Sequence, residues 1–197
     1  GYKGTFDGQK YYIRSFSSFN NDANTTAGLF GTIASGGVVR NVGMLTAYVT
    51  LNTNEHYAGL IAGQILEGGL VEKCYIKDCT FNASNSIVGG IAGVNKGTIS
   101  QCFVYSTTVT GKEGHYGGIV GDYNGGTIKF TYTDHEYLGT TIEEYMGTLT
   151  YAEGNVSENR LKSGEITYNL NIPSNTFYQC LSYSSASNND KYPLFKG

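Results

Sequence analysis

A glycine-rich apolar block occurs four times along this chain, as Ala27-Gly28-Leu29-Phe30-Gly31, Ala58-Gly59-Leu60-Ile61-Ala62-Gly63, Gly89-Gly90-Ile91-Ala92-Gly93 and Gly117-Gly118-Ile119-Val120-Gly121. The closing glycines Gly31, Gly63, Gly93 and Gly121 stand 32, 30 and 28 residues apart. Self-similarity at that period marks stacked repeats, because one such unit cannot bury its own apolar face.

A turn and a strand-like run follow each block: Gly37–Met44, Gly69–Ile76, Gly97–Val104 and Gly126–Thr133. The first core position of each run is Val39, Val71, Ile99 and Ile128. A weaker copy precedes them, in which Ile13 and Phe16 keep the spacing of Val39 and Val42. Farther along, Met44, Ala47 and Val49 correspond to Ile76, Cys79 and Phe81, and to Val104, Thr107 and Val109. Period-two alternation bounded by Gly and Asn is a strand pattern, and no helical stripe survives the glycines. Coils stacked at about 4.8 Å would set equivalent residues over one another. One inward ladder is Val42, Cys74, Cys102 and Thr131; another is Leu29, Leu60, Ile91 and Ile119. The glycines are expected to supply positive φ at sharp corners and close approach between coils.

The fold class predicted is all-β: a single-stranded parallel β-helix (β-solenoid) of about five rungs with an irregular C-terminal cap. Residues 1–139 form the solenoid, with an opening strand over 1–20 and repeats near 27–50, 58–82, 88–110 and 116–134. Residues 140–197 form the capping segment, which would cover the open strand edge of the last coil. Within it, Ser163–Asn171 predicts a short helix with Ser163 as N-cap and Pro173 beyond its end.

Composition narrows the function classes. Charged residues make up 15% of the chain, against a usual quarter, while Tyr numbers 17 and Trp 0. That weakly charged polar surface suits extracellular all-β proteins. The formal net charge of −3 gives no electrostatic footprint for nucleic acid. No stretch approaches the roughly 20 apolar residues of a membrane helix. Gly1 is not a start methionine, so the sequence reads as a trimmed or mature fragment.

The four blocks, each followed by a Gly-x-[Val/Ile] strand opening, resemble GLUG-motif repeats. Gly4-Thr5-Phe6-Asp7-Gly8 followed by Ile13 is similar to the strand that precedes such repeats. Ser163-Gly164-Glu165-Ile166, Asn169-Leu170-Asn171, Tyr178-Gln179 and Asp190-Lys191-Tyr192-Pro193-Leu194 are similar to a closing segment in adhesin-like surface proteins of gut-dwelling bacteria. The resemblance implies a secreted or surface-anchored β-solenoid. It carries no catalytic residue, since the peptidase chemistry that accompanies some GLUG repeats sits in a separate domain.

A zinc peptidase helix needs two histidines four apart with a glutamate beside the first. His135-Glu136 has Gly139 where the second histidine belongs, so this reading is rejected. His56 and His115 read as turn-surface residues about two rungs, or about 10 Å, apart, too far to share one metal. Glycoside hydrolysis usually needs two carboxylates about 5–10 Å apart. Glu72 aligns with Ser100 and Lys129, Asp78 with Thr46 and Ser106, and Asp122 with no acid; Glu143-Glu144 falls outside the repeat. Cys74, Cys79 and Cys102 face inward and read as free buried thiols. The sequons at Asn24, Asn82 and Asn155 are uninformative in an Asn/Ser/Thr-rich chain.

The candidate binding residues are Tyr75, Phe103 and Tyr132. They share one register next to the inward residues 74, 102 and 131, so alternation turns them outward. Three stacked rings would make a flat exposed strip for sugar rings or a protein partner. The function expected is a non-enzymatic extracellular binding or adhesion module, secreted or on the bacterial cell surface. Its partner would be a glycan or a host or bacterial surface protein, without nucleic acid, membrane insertion, metal or cofactor. The alternatives are a structural stalk or spacer of a larger surface protein and a carbohydrate-active β-helix enzyme (lyase or hydrolase).

Overall fold

The computed structural model describes residues 1–17, 26–51, 57–134, 138–141, 148–179 and 193–195. The chain winds into a parallel β-solenoid of about four turns, and successive turns feed the same four parallel sheets. The first sheet holds Thr5–Arg14, Val38–Leu45, Leu70–Glu72 with Tyr75–Lys77, Thr98–Ser100 with Phe103–Tyr105, Thr127–Thr133, and Thr148–Glu153. The second stacks Tyr48–Thr50, Thr80–Asn82 and Thr108–Thr110. The third stacks Thr26–Ala27, Tyr57–Gly59, Ile87–Gly89 and Tyr116–Gly117. The fourth stacks Phe30–Ile33, Ala62–Ile65, Ala92–Asn95, Val120–Tyr123 and Leu138–Thr141.

The strands are short, and each is satisfied by the rungs above and below it rather than by a hairpin partner. Val39 pairs with Val71, Val71 with Ile99 and Ile99 with Ile128, and all four are 0% exposed. Val42, Cys74, Cys102 and Thr131 are buried as the ladder requires, with the Cys102 amide donating to Thr131 Oγ1. Met44, Ile76 and Val104 form a third file, and Val49, Phe81 and Val109 a fourth.

Two expected alignments shift. The first glycine block is one residue shorter than the second, so Ala27 lies against Ala58 but Phe30 lies against Ala62. The Ile61 amide donates to the Ile91 carbonyl and the Ile91 amide to the Ile119 carbonyl, whereas Leu60 bonds to Gly90. The isoleucine file therefore runs through Ile61, and Leu60 stands one step off it, opposite Gly90. In the opening strand, Phe6 pairs with Val39, and Ile13 pairs with Met44 rather than with Val39. A bulge between Asp7 and Tyr11 adds two residues to this strand, so partners stand 33 residues on before it (Phe6 with Val39) and 31 after it (Ile13 with Met44). Gln9 and Lys10 take φ of 50° and 65° there, and Asp7 braces the bulge by accepting from the Gln9 amide, Arg40 Nε and Asn41 Nδ2.

Turn glycines Gly36, Gly68 and Gly125 do supply positive φ at one corner, but other corners take it without glycine. Positive φ falls at Asn41, Lys73, Gln101 and Phe130, and again at Thr46, Asp78 and Ser106. None of the block glycines has it. Their role is steric: a Cβ on Gly89 would stand 2.0 Å from the Ala92 carbonyl oxygen and 2.6 Å from Val120 Cα. Glycine there permits the close turn-to-turn packing that any side chain would force apart.

After the last coil the chain forms two short helices, α1 (Glu158–Lys162) and α2 (Glu165–Leu170), and an antiparallel pair, Phe177–Tyr178 with Leu194–Phe195. Ser157 caps α1, and the αL residue Gly164 precedes α2. Ser163, expected as an N-cap, closes α1 and accepts from the Glu165 amide through Oγ. Together these elements lie against the flank of the first sheet, not only across the end of the stack.

Candidate functional site

Tyr75, Phe103 and Tyr132 do share one register on the outer side of the first sheet. The Tyr75 and Phe103 rings stack with centroids 5.8 Å apart and planes 23° apart. The exposed strip expected from alternation is nonetheless corrected, since their exposures are 1%, 0% and 2%. Val156 beside α1, Leu161 in α1, Ile166 and Leu170 in α2, and Phe177 and Phe195 in the terminal pair cover them. Alternation places a side chain outside the coil, but three large rings gain most when a second apolar layer removes them from water. Gln101 anchors that layer. From its αL bend its buried amide donates to the Leu170 carbonyl at 2.8 Å and to Ser174 Oγ at 3.0 Å.

The aromatic file opens to solvent at one end. Beside Tyr75 stands Tyr12 of the opening strand, edge-on at 6.1 Å, and Phe195 completes the contact 5.4 Å from Tyr12. Here the opening strand, the second corner of the coil and the terminal pair enclose a groove of about 400 Å³. Its floor is apolar, made by Tyr75, Leu45 and Phe195. Its rim is polar and aromatic: Tyr178 is 44% exposed, Tyr12 is half-buried, and Arg14 and Thr46 are exposed.

Local backbone builds that rim. Positive φ at Ser15, Thr46 and Asp78 turns the chain sharply on three successive rungs, which aligns their side chains along one corner. The corner amides are already committed to the stack: Ser15 donates to Leu45, Thr46 to Lys77 and Asp78 to Tyr105. Thr46 Oγ1 donates to the Leu45 carbonyl, which leaves its lone pairs facing outward as acceptors. Lys77 and Asp78 pair with each other. The Arg14 guanidinium lies 5.5 Å from the Tyr12 ring centroid, and among the described residues no carboxylate pairs with it. A site of this kind can hold a ring-shaped polar ligand by its face while fixing its edges through hydrogen bonds. Sequence reasoning did not reach Tyr12, Arg14 or Tyr178. Arg14 and Tyr178 lie outside the four repeats and meet only in the folded chain.

A second constellation joins His115 to Asp122, with Nδ1 and Oδ1 2.7 Å apart. His115 sits in the turn before Tyr116–Gly117, and Asp122 is buried on the fourth sheet opposite Val94. The bond ties a turn to its neighbouring strand. Among the described residues no hydroxyl or thiol hydrogen-bonds the other ring nitrogen. His56, His135, Glu136, Glu143, Glu144, Asn24 and Cys180 lie outside the described residues.

Cys74, Cys79 and Cys102 are free and buried. Burial and the neighbouring Cys102 thiol push the Cys74 thiol well above its ordinary range, and burial raises Cys79 as well. Among the described residues no three His, Cys, Asp or Glu side chains converge as a metal site, and no helix is long and apolar enough to cross a membrane. Compared with known proteins, the chain matches no family model, no curated protein and no solved structure.

Proposed function

We propose that this chain is a GLUG-type repeat protein of the bacterial surface or secreted fraction, acting as a non-enzymatic binding or adhesion module. Its partner is a glycan or a surface protein. The observation that carries this reading is the groove of about 400 Å³ at the open end of the aromatic file. There exposed Tyr178 and half-buried Tyr12 border a polar rim. The binding residues thus move from the covered faces of Tyr75, Phe103 and Tyr132 to the mouth where Tyr75 meets Tyr12. On this reading the repeats make five rungs, from the opening strand through Thr127–Thr133, and 140–197 is the capping segment, whose strand Thr148–Glu153 joins the stack edge before the helices begin. Among its described residues the groove carries one carboxylate, Asp78, already paired with Lys77, which favours holding a ligand over cleaving it.

A glycan array and a panel of surface proteins, probed with the wild-type chain and with Tyr178→Ala, test this. Specific retention without turnover, lost in the variant, is the expected result. Silence across both panels would leave a stalk or spacer as the better reading. Release of cleaved product would make the chain a carbohydrate-active enzyme.

A further inference from the structure

We infer that the groove selects a saccharide bearing a carboxylate, a uronic- or sialic-acid type of sugar, with Arg14 as the group that reads the charge. This rests on the binding-module reading and adds the ligand class to it.

The chain as a whole carries a formal net charge of −3. Among the described residues that line the groove the balance is reversed, with Arg14 and Lys77 facing Asp78. Lys77 and Asp78 neutralise each other, so Arg14 supplies the net positive charge. Its guanidinium is kept at the wall by the Tyr12 ring beneath it, 5.5 Å to the centroid. A stacked guanidinium still presents its N–H edge outward, and that planar fork matches the two oxygens of a carboxylate. By contrast, Arg40 and Arg160 are both engaged with carboxylates, those of Asp7 and Glu165.

The remaining groups suit a sugar better than an acidic peptide. An extended peptide docks by adding to a strand edge, using free backbone donors and acceptors. At this corner the amides of Ser15, Thr46 and Asp78 are already bonded to neighbouring rungs. What is offered instead is side-chain chemistry: the Tyr178 ring for the apolar face of a pyranose, and Thr46 Oγ1 and the Asp78 carboxylate as acceptors for hydroxyl groups. Aromatic face, hydroxyl acceptors and one fork for a carboxylate describe an acidic monosaccharide unit within a longer glycan.

Titration calorimetry on the folded chain tests the inference with oligogalacturonate, oligoglucuronate and sialyllactose, each beside its carboxyl-esterified form. Polyglutamate and neutral oligosaccharides of equal length are the comparators. At least one carboxylated glycan should bind, at least tenfold more tightly than its ester and than polyglutamate. Arg14→Gln should erase that preference, Arg14→Lys should retain part of it, and raised salt should weaken it. Both substitutions are on an exposed side chain and should leave the circular dichroism and melting curve unchanged. Equal binding of acid and ester, or an unchanged Arg14→Gln, would overturn the carboxylate reading while leaving the module intact. Tighter binding of polyglutamate would overturn the saccharide reading. No binding by any glycan would overturn both.

Discussion

Truncating Phe103 to alanine removes a ring that is 0% exposed and stacked 5.8 Å from Tyr75 and 5.9 Å from Tyr105. The covering side chains of α1, α2 and the terminal pair belong to the same apolar cluster. Removing a fully buried phenylalanine costs about 3–5 kcal/mol, combining lost transfer energy with the cavity left behind. At a urea slope of about 2 kcal/mol per molar, that loss moves the unfolding midpoint down by about 1.5–2.5 M. For a chain of this size it also lowers the Tm by about 6–20 °C. Equilibrium urea unfolding followed by circular dichroism, with tyrosine fluorescence as a second probe, measures the shift. Phe103→Leu keeps much of the volume and should lose less. Tyr178→Ala, on an exposed ring, should stay within about 0.5 kcal/mol of wild type. A Phe103→Ala midpoint within about 0.3 M of wild type at unchanged slope would refute burial of the file. The rings would then be exposed, as alternation alone predicts.

Three further outcomes follow from other parts of the molecule. Gly89→Ala should cost about 1–3 kcal/mol or more by the same measurement, because its new Cβ would meet backbone atoms at 2.0 and 2.6 Å; a neutral effect would mean that the coils are farther apart than described. Hydrogen bonds from Asn41, the Gln9 amide and Arg40 hold the Asp7 carboxyl below the usual carboxylate range. The lowered folded-state pKa makes its contribution present above the unfolded-state pKa and lost as pH falls through the folded one. The stability difference between wild type and Asp7→Asn should therefore be constant near neutrality and vanish in acid; a difference growing toward low pH would contradict the brace. Cys74, Cys79 and Cys102 should resist a thiol reagent at pH 8 in the native state and react together once denatured, and fast native labelling of any of the three would contradict their burial.

The architecture was legible because glycine spacing and the Val39, Val71, Ile99, Ile128 file repeat at nearly constant period. Each file needs only local alternation and one repeat length to be drawn. The ladder drawn through Leu29, Leu60, Ile91 and Ile119 slips by one step between Leu60 and Ile91, where Leu60 bonds to Gly90 and Ile61 to Ile91. Alignment failed again in the opening strand, where Ile13 meets Met44 and not Val39 and the Gln9–Lys10 bulge changes the spacing midway. Short gaps of this kind leave the apolar pattern intact while moving the partner, so periodicity cannot detect them. The corners misled for another reason. Thr46, Asp78, Ser106 and Gln101 adopt αL conformations without glycine, held there by inter-rung hydrogen bonds that no local propensity encodes. Exposure of Tyr75, Phe103 and Tyr132 was not legible at all. Alternation separates inside from outside the coil, but Ile166, Leu170 and Phe195 come from non-repeating sequence far along the chain. The groove shares that origin, since Arg14 and Tyr178 become neighbours only after those elements dock.

In a simple pile of repeats, each unit senses only its immediate neighbours, and the ends melt first. Here Phe195 rests against Tyr12 and Tyr75, while Gln101, one rung beyond Tyr75 and three beyond Tyr12, grips Leu170 and Ser174. The end of α2, the turn at Ser174 and the terminal pair thus work together as a clasp across several coils. Fraying of the opening strand must also loosen the clasp, and loosening the clasp unseats the middle coils. Mechanical or thermal stress at either end is thereby shared along the rod, and the two ends of the chain should let go together.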